Sequence, residues 1–294
     1  MRFASRPDSP VSASPARQVF AALHVSRWIS NLVVLVPLIF ARGLLYPALL
    51  AQAGAAFVLL CGLAGSVYIL DDLMDRRRGL TAQPDGHAVP LALALSLVLT
   101  AVCLPAAFLL SIPFGLLALL YWALMVLYPL VLKQILLIDV LTLASGLVLR
   151  TVAGAMVIAV PISPWLYIVT SALALFLALG QVRHRLTCSP GAGPVPASAE
   201  YSASLWEALT AVTTASVVMS YGLYTFFAES LPTDHRMMLT IPFVLYFVFR
   251  YLLLLERGAE NGIPERIMLT DKPLLADAAL WVVTTLVLLY AQSP

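Results

Sequence analysis

The stretch Phe57-Val58-Leu59-Leu60-Cys61-Gly62-Leu63-Ala64-Gly65-Ser66-Val67-Tyr68-Ile69-Leu70 runs without a charge into Asp71-Asp72-Leu73-Met74-Asp75-Arg76-Arg77-Arg78. The uncharged run reaches back to residue 44. It is long enough to cross the hydrocarbon core of a bilayer, about 30 Å, as one helix. Three acids then arrive together at its far end. A greasy span with its polar chemistry gathered at one end is the unit from which the rest of the chain is read.

Of 294 residues, 61% are hydrophobic and 11% charged, and the mean hydropathy is +0.95. A soluble domain carries roughly a quarter charged residues. This chain cannot cover a globular surface with polar groups, so a soluble enzyme, a disordered tail and a secreted disulfide scaffold are excluded. An all-α polytopic bundle of about nine transmembrane helices is expected, with no room for a further soluble domain. The net charge of +2 gives no reason to expect a nucleic-acid partner. Cys61, Cys103 and Cys188 lie far apart without CxxC spacing and read as neither metal ligands nor disulfide partners. The Ser/Pro/Ala/Arg-rich start, and an apolar run after Trp28 that continues into further spans, do not match a cleavable signal.

Hydrophobic runs place spans near 28–41, 44–70, 89–109, 112–131, 136–160, 164–182, 204–228, 237–255 and 274–291. Breaks fall at Pro113, at Pro161 with Pro164, and in the Pro/Gly-rich stretch 188–199. Residues 1–18 read as a disordered segment ahead of one transmembrane domain, 19–294. Basic residues test the count, because short cytoplasmic loops hold most Lys and Arg. With the N-terminus inside, the inner segments hold Arg2, Arg6, Arg17, Arg27, Arg76, Arg77, Arg78, Lys133, Arg183, Arg185, Arg257, Arg266 and Lys272. The outer segments hold only Arg42 and Arg236. That alternation supports nine spans in an inner membrane, N-terminus cytoplasmic and C-terminus outside. Asp71, Asp72, Asp75, Asp139, Glu265 and Asp271 then share the cytoplasmic face. The pattern suits a cavity open to one side rather than a path through the membrane.

On a continuing helix Asp72 and Asp75 are i,i+3 and Asp71 and Asp75 are i,i+4, so the acids share a face. Carboxylates so close repel unless a cation sits among them. Mg²⁺ takes one or two carboxylates and completes its shell with substrate phosphates; balance by Arg76, Arg77 and Arg78 at a solvated helix end is the competing reading. Asp139 and Arg150 stand eleven residues apart, on one face, with Arg150 roughly 16 Å deeper by helix rise. An arginine at that depth faces the bundle interior and suits phosphate or carboxylate, or ties helices together. Lys133, after Tyr128, is a topology-setting charge or a ligand. Asn31, beside Ser30, reads as an interhelical hydrogen bond. Gly62, Gly65, Gly146 and Gly154 read as sites of close helix approach, His184 as solvated, and the aromatics as mostly lipid-facing or interfacial.

Taken together these residues resemble the UbiA superfamily of intramembrane prenyltransferases, and within it the decaprenyl-phosphate phosphoribosyltransferases. The resemblance rests on Trp28-x-x-Asn31 leading into Pro37-Leu38-Ile39-Phe40, and on Tyr68 before Asp72 and Asp75. It continues in Tyr128-x4-Lys133-x5-Asp139-Val140-Leu141 and Gly146-Leu147-Val148-Leu149-Arg150-x3-Gly154-Ala155. Ser163-x-Trp165, Leu175-Phe176-Leu177-Ala178-Leu179, Arg250-Tyr251, Pro264-Glu265 and Asp271 extend it to nearly the whole chain. The resemblance implies a Mg²⁺-dependent attack by a polyprenyl phosphate on C1 of phosphoribosyl diphosphate. It implies Asp72 and Asp75 as metal ligands with Asp71 assisting, and Lys133 and Arg150 as phosphate ligands. Asn31 and Tyr128 would contact substrate, and Asp139 would orient a hydroxyl or a cation.

The chain departs from the family pattern in several places. Asp71 stands where an Asn is usual, Gly79 where a further acid is usual, and 80–87 do not reproduce the basic run that normally follows. Ser30, His24 and Gln181 replace basic residues, and Arg185 replaces an acid. Arg76, Arg77, Arg78, Arg183 and Arg185 are the cations placed to compensate. The open readings are phosphoribosyl transfer, prenyl transfer from a polyprenyl diphosphate to another acceptor, a non-catalytic lipid-binding relative, and a transporter.

Overall fold

The computed structural model describes residues 25–77, 88–188, 202–232, 234–257 and 269–290. The segment 1–18, Gly79, the run 80–87 and Glu265 lie outside them. Among the described residues every regular element is helical, as a bilayer requires of any chain that does not close a barrel. A 3-10 stretch, Val25–Leu35, runs into α1 (Val36–Phe40). Then follow α2 (Pro47–Arg77), α3 (Ala88–Leu110), α4 (Ile112–Leu130), α5 (Ile138–Val157), α6 (Pro164–Cys188), α7 (Ala203–Phe227), α8 (Ile241–Glu256) and α9 (Lys272–Tyr290). Prolines open several of them: Pro113 lies in the first turn of α4 and Pro242 in that of α8. Their missing N–H is among those a helix start leaves unbonded anyway.

Seven of these helices are long and apolar enough to cross a membrane. The two expected spans outside that set depart for different reasons. The first apolar helix, Trp28–Phe40, is short, and its first part is wound as 3-10, which rises further per residue. α7 is long enough at 25 residues but carries many hydroxyls. Some of these are spent inside the bundle: Tyr221 Oη and Thr240 Oγ1 lie 2.6 Å apart, and Trp281 Nε1 donates to Tyr221 Oη at 2.9 Å.

α2 and α5 form the middle of the bundle. In their apolar windows 56% and 61% of residues are buried, against 17% in α3 and in the α8 segment, which therefore face lipid. The core around α2 is built from Val34, Leu38, Leu60, Phe114, Tyr121 and Val157, with small residues at the crossings. Ala53, Ala56, Ala64, Ala118 and Ala153 are all buried there. Small side chains let backbones approach, which is what drives helix association where lipid is as apolar as Leu. A second core joins α5, α6 and α7 through Val140, Ala178, Val182 and Trp206. A third joins α6 to α9 through Phe176, Val217, Val248, Tyr251 and Leu274. The circuit closes where Tyr290 on α9 accepts from Leu44 N (3.2 Å) and donates to Ile39 O (3.4 Å).

Many aromatics expected at the lipid boundary are inside instead. Tyr121, Tyr224, Tyr251, Phe114 and Phe176 are among the largest fully buried side chains. Rings bury large areas, and they pair within the bundle, as Phe40 does edge-on with Tyr224 at 5.3 Å. At Gly154 an added Cβ would run into the Val34 carbonyl. Gly154→Ala should therefore force α5 off the first helix. The expected cost is about 1–3 kcal/mol of overpacking, seen as a lower Tm of the detergent-solubilised protein.

Arg250 and Asp271 clamp α8 to the start of α9. The guanidinium binds the carboxylate at two points, Nε to Oδ1 at 3.2 Å and a terminal nitrogen to Oδ2 at 2.7 Å. Asp271 Oδ1 also accepts from Leu274 N at 2.9 Å, capping the helix. The Arg250 hydrogen bond holds the Asp271 carboxyl below its ordinary pKa. Stability from a lowered carboxylate is fully present above its unfolded value, about 3.9, and is lost as pH falls through the folded value. Acid should thus lower Tm, and Asp271→Asn should both lower Tm at neutral pH and remove part of that acid sensitivity.

Candidate functional site

The last turns of α2 bring Asp71, Asp72, Asp75 and Arg76 to one end of the bundle. Across from them the chain leaves α4 after Pro129 and makes a 3-10 turn, Leu132–Gln134. It then passes through Leu137, whose φ of 64° lies in the left-handed region, and enters α5. A leucine there is strained by roughly 1–2 kcal/mol. The turn so made carries Lys133 onto the acids. Its Nζ donates to Asp71 Oδ1 at 3.0 Å and to both oxygens of Asp75 at 2.8 Å. The Lys133 side chain is 7% exposed, and those of Asp71 and Asp75 are 20% and 22%. The cation lies inside and the carboxylates toward the opening. The i,i+4 relation is what lets two carboxylates converge on one ammonium. Asp72, one residue round the helix, is not among the carboxylates that Lys133 contacts.

Asp139 follows in the first turn of α5, buried, with Oδ1 accepting from Val140 N at 2.7 Å. Tyr128 is buried in the last turn of α4. Deeper in the bundle, Arg150 is 6% exposed. It donates to Ser30 Oγ at 3.1 Å and to Tyr121 Oη at 2.5 Å, with its guanidinium carbon 4.7 Å from the Tyr121 ring centre. The Tyr68 hydroxyl bears on it as well, one turn before Asp72. Its Nε has no partner among the described residues. The eleven-residue spacing from Asp139 holds, but the partners of Arg150 are hydroxyls rather than a carboxylate. Asn31 is fully buried beside this group and donates to Cys61 Sγ at 3.2 Å, a helix-to-helix contact, while its Oδ1 is unsatisfied.

Arg183 is elsewhere. It lines a cavity of about 540 Å³ between α6, α7 and α8, with Trp206, Glu207, Thr210, Leu252 and Glu256 among the other walls. Neither Lys133 nor any acid of the α2 cluster lines it. The sequence grouped Arg183 with the phosphate-binding cations; in the fold it is one of the residues lining this cavity. Tyr121 was not nominated from sequence. Its only signal was a tyrosine in a span, whose hydroxyl needs a partner when buried.

Among the described residues no three His, Cys, Asp or Glu side chains gather as a metal site. Asp71 and Asp75 nevertheless offer hard oxygens converging on one cation. That donor set fits a Mg²⁺ shared with substrate phosphates and does not fit a closed all-protein cage.

No protein-family model matches the chain. The fold, a bundle of membrane-length helices, is shared with a solved UbiA homolog. The UbiA homolog from Archaeoglobus fulgidus superposes with a TM-score of 0.67 bound to Cd²⁺, at 16% identity, covering 92% of this chain and 99% of that one. Its form bound to GPP and Mg²⁺ gives 0.63 at the same identity and coverage. In sequence, the chain resembles decaprenyl-phosphate phosphoribosyltransferase. It is 25% identical to the Mycobacterium tuberculosis protein over 284 residues, covering 90% of this chain and 92% of that protein. It is 27% identical to the Mycolicibacterium smegmatis protein over 287 residues, covering 90% and 89%.

The hydroxyl of Tyr121 is the test of how Arg150 is held. Tyr121→Phe keeps the ring and leaves a buried guanidinium N–H unsatisfied. The expected cost is about 1–3 kcal/mol, read as a lower Tm in detergent, whereas Tyr46→Phe at an exposed position should leave Tm unchanged.

Proposed function

We propose that this chain is a Mg²⁺-dependent integral-membrane transferase that moves phosphoribosyl from phosphoribosyl diphosphate to a polyprenyl phosphate. The observation that carries the reading is the pairing of Asp71 and Asp75 about one buried cation, with a second buried cation, Arg150, deeper in the same bundle. A transferase that joins two phosphorylated substrates needs places for two anions. The curated relatives are decaprenyl-phosphate phosphoribosyltransferases, which supports this donor and acceptor.

In the reaction an acceptor phosphate oxygen forms a bond to C1 of the ribose while the C1–O bond to diphosphate breaks, and diphosphate leaves with the electron pair. Asp72 and Asp75, assisted by Asp71, would hold Mg²⁺, which when bound neutralises charge building on the departing diphosphate. Lys133 and Arg76 add positive charge at the same end. Arg150 faces the acceptor's anion, and its free Nε is the donor available for it. Asp139 orients a ribose hydroxyl, and Tyr128 and Asn31 shape the walls. The apolar bundle lets the lipid's tail stay in hydrocarbon. The alternation of Lys and Arg supports an inner-membrane protein with its N-terminus and this acid-bearing end in the cytoplasm, where a soluble donor is available.

Prenyl transfer from a polyprenyl diphosphate is the second reading, supported by the structures of the A. fulgidus homolog bound to GPP and Mg²⁺. Pyrophosphate release from purified protein separates the two. With phosphoribosyl diphosphate, a polyprenyl phosphate and Mg²⁺, release should require all three and vanish with EDTA. Asp72→Asn should abolish turnover with expression intact; full activity in that variant would remove the metal assignment. Release with a polyprenyl diphosphate and an aromatic acceptor instead would select the second reading.

A further inference from the structure

The ammonium of Lys133 stands where the lone pairs of Asp71 and Asp75 converge. Three carboxylate oxygens lie within 3.0 Å of it. Of the pair's four oxygens only Asp71 Oδ2 is outside its contacts, so a divalent ion shared by the same two side chains would compete for the other three. Lys133 therefore opposes such an ion in two ways, by sharing its ligands and by like charge. The arrangement is built rather than incidental. Lys133 is almost wholly buried, and it comes from a turn that ends in a left-handed leucine. A lysine also suits release: it is a compact charge on a flexible four-carbon stem. Two carboxylates against one ammonium leave a single net negative charge at the pair, a weak trap for a lone divalent cation.

We infer that Lys133 is a resident counter-ion. It closes the carboxylate pair to free divalent cations and gives the pair up only when a diphosphate arrives with its metal, at which point the ammonium moves onto the phosphates. This rests on the transferase reading above and adds an order to it: metal and diphosphate enter together. Before they enter, Lys133 keeps two carboxylates near a low-dielectric interior from repelling one another. Afterwards it contributes to holding the leaving group. The lysine thus serves both states, and the switch between them is a change of partner rather than of protonation.

The experiment measures two affinities on the purified full chain in detergent. One is for Mn²⁺ alone, followed by its electron paramagnetic resonance signal. The other is for phosphoribosyl diphosphate at fixed Mg²⁺. Lys133→Met should move them in opposite directions. Mn²⁺ binding should tighten by about tenfold or more once the competing charge is gone, while the diphosphate should bind more weakly. A lysine that only binds phosphate would lower the second affinity and leave the first unchanged, and one that only holds the fold would lower both; either result overturns the inference. Should the methionine variant not fold, Lys133→Gln gives the same comparison. If Mn²⁺ affinity is unchanged while pyrophosphate release remains metal-dependent, this inference fails and the transferase reading stands. If no form of the protein binds Mn²⁺ and release proceeds in EDTA, both fail.

Discussion

Two carboxylates one helical turn apart at the end of an apolar span repel each other unless a cation lies between them. In this protein that cation is Lys133, and meeting the requirement organises one whole end of the bundle. The chain between α4 and α5 cannot be an arbitrary loop, because it must deliver an ammonium to α2. It does so through a short 3-10 turn and one strained leucine. Once the turn is fixed, α5 starts where it must, Asp139 is buried in its first turn, and Arg150 falls three turns deeper beside Tyr121 and Ser30. The positions of the deep polar group and of the shallow one are therefore not independent. Each is tied to the other by α5 and by Tyr68 on α2.

The deep group follows a different rule. A guanidinium in the interior of a membrane bundle is costly unless its donors are used. Arg150 uses oriented hydroxyls from three other helices and the face of a ring. Neutral partners satisfy hydrogen bonds without cancelling charge, so the site keeps a positive potential that a carboxylate would have removed. This is the arrangement expected of a protein that is to receive an anion there. A pure structural tie would more often be a closed ion pair.

Much of this was legible in the sequence because it depends on spacing along a single helix. The span 44–70, the shared face of Asp71 and Asp75, and the common face of Asp139 and Arg150 all follow from helical periodicity. What was not legible depends on packing between helices. Lys133 reads as a topology-setting charge or a ligand, and only the turn geometry brings it onto the acids. Tyr121 looks like any interfacial tyrosine until α4 is set against α5. Arg183 reads as one more cation at the end of a span, and that it lines a cavity with α7 and α8 follows only from the packing. The hydrophobic run 204–228 reads as a span, while the hydroxyls of α7 hold it below the apolarity of the other long helices.

That last feature bears on how the protein reaches its membrane. A segment with many Ser, Thr and Tyr side chains gains less than its neighbours by leaving water for lipid as a single helix. The Thr213, Ser216, Ser220 and Thr225 hydroxyls lessen that cost by donating to carbonyls of α7 itself, whereas Tyr221 Oη meets Thr240 and Trp281, both later in the chain. Several of its polar groups are thus satisfied by the helix alone, and Tyr221 takes its partners from later chain. The shared Tyr221 hydroxyl ties α7 to the start of α8 and to α9, so the last helices of the bundle are joined by a polar contact as well as by apolar packing.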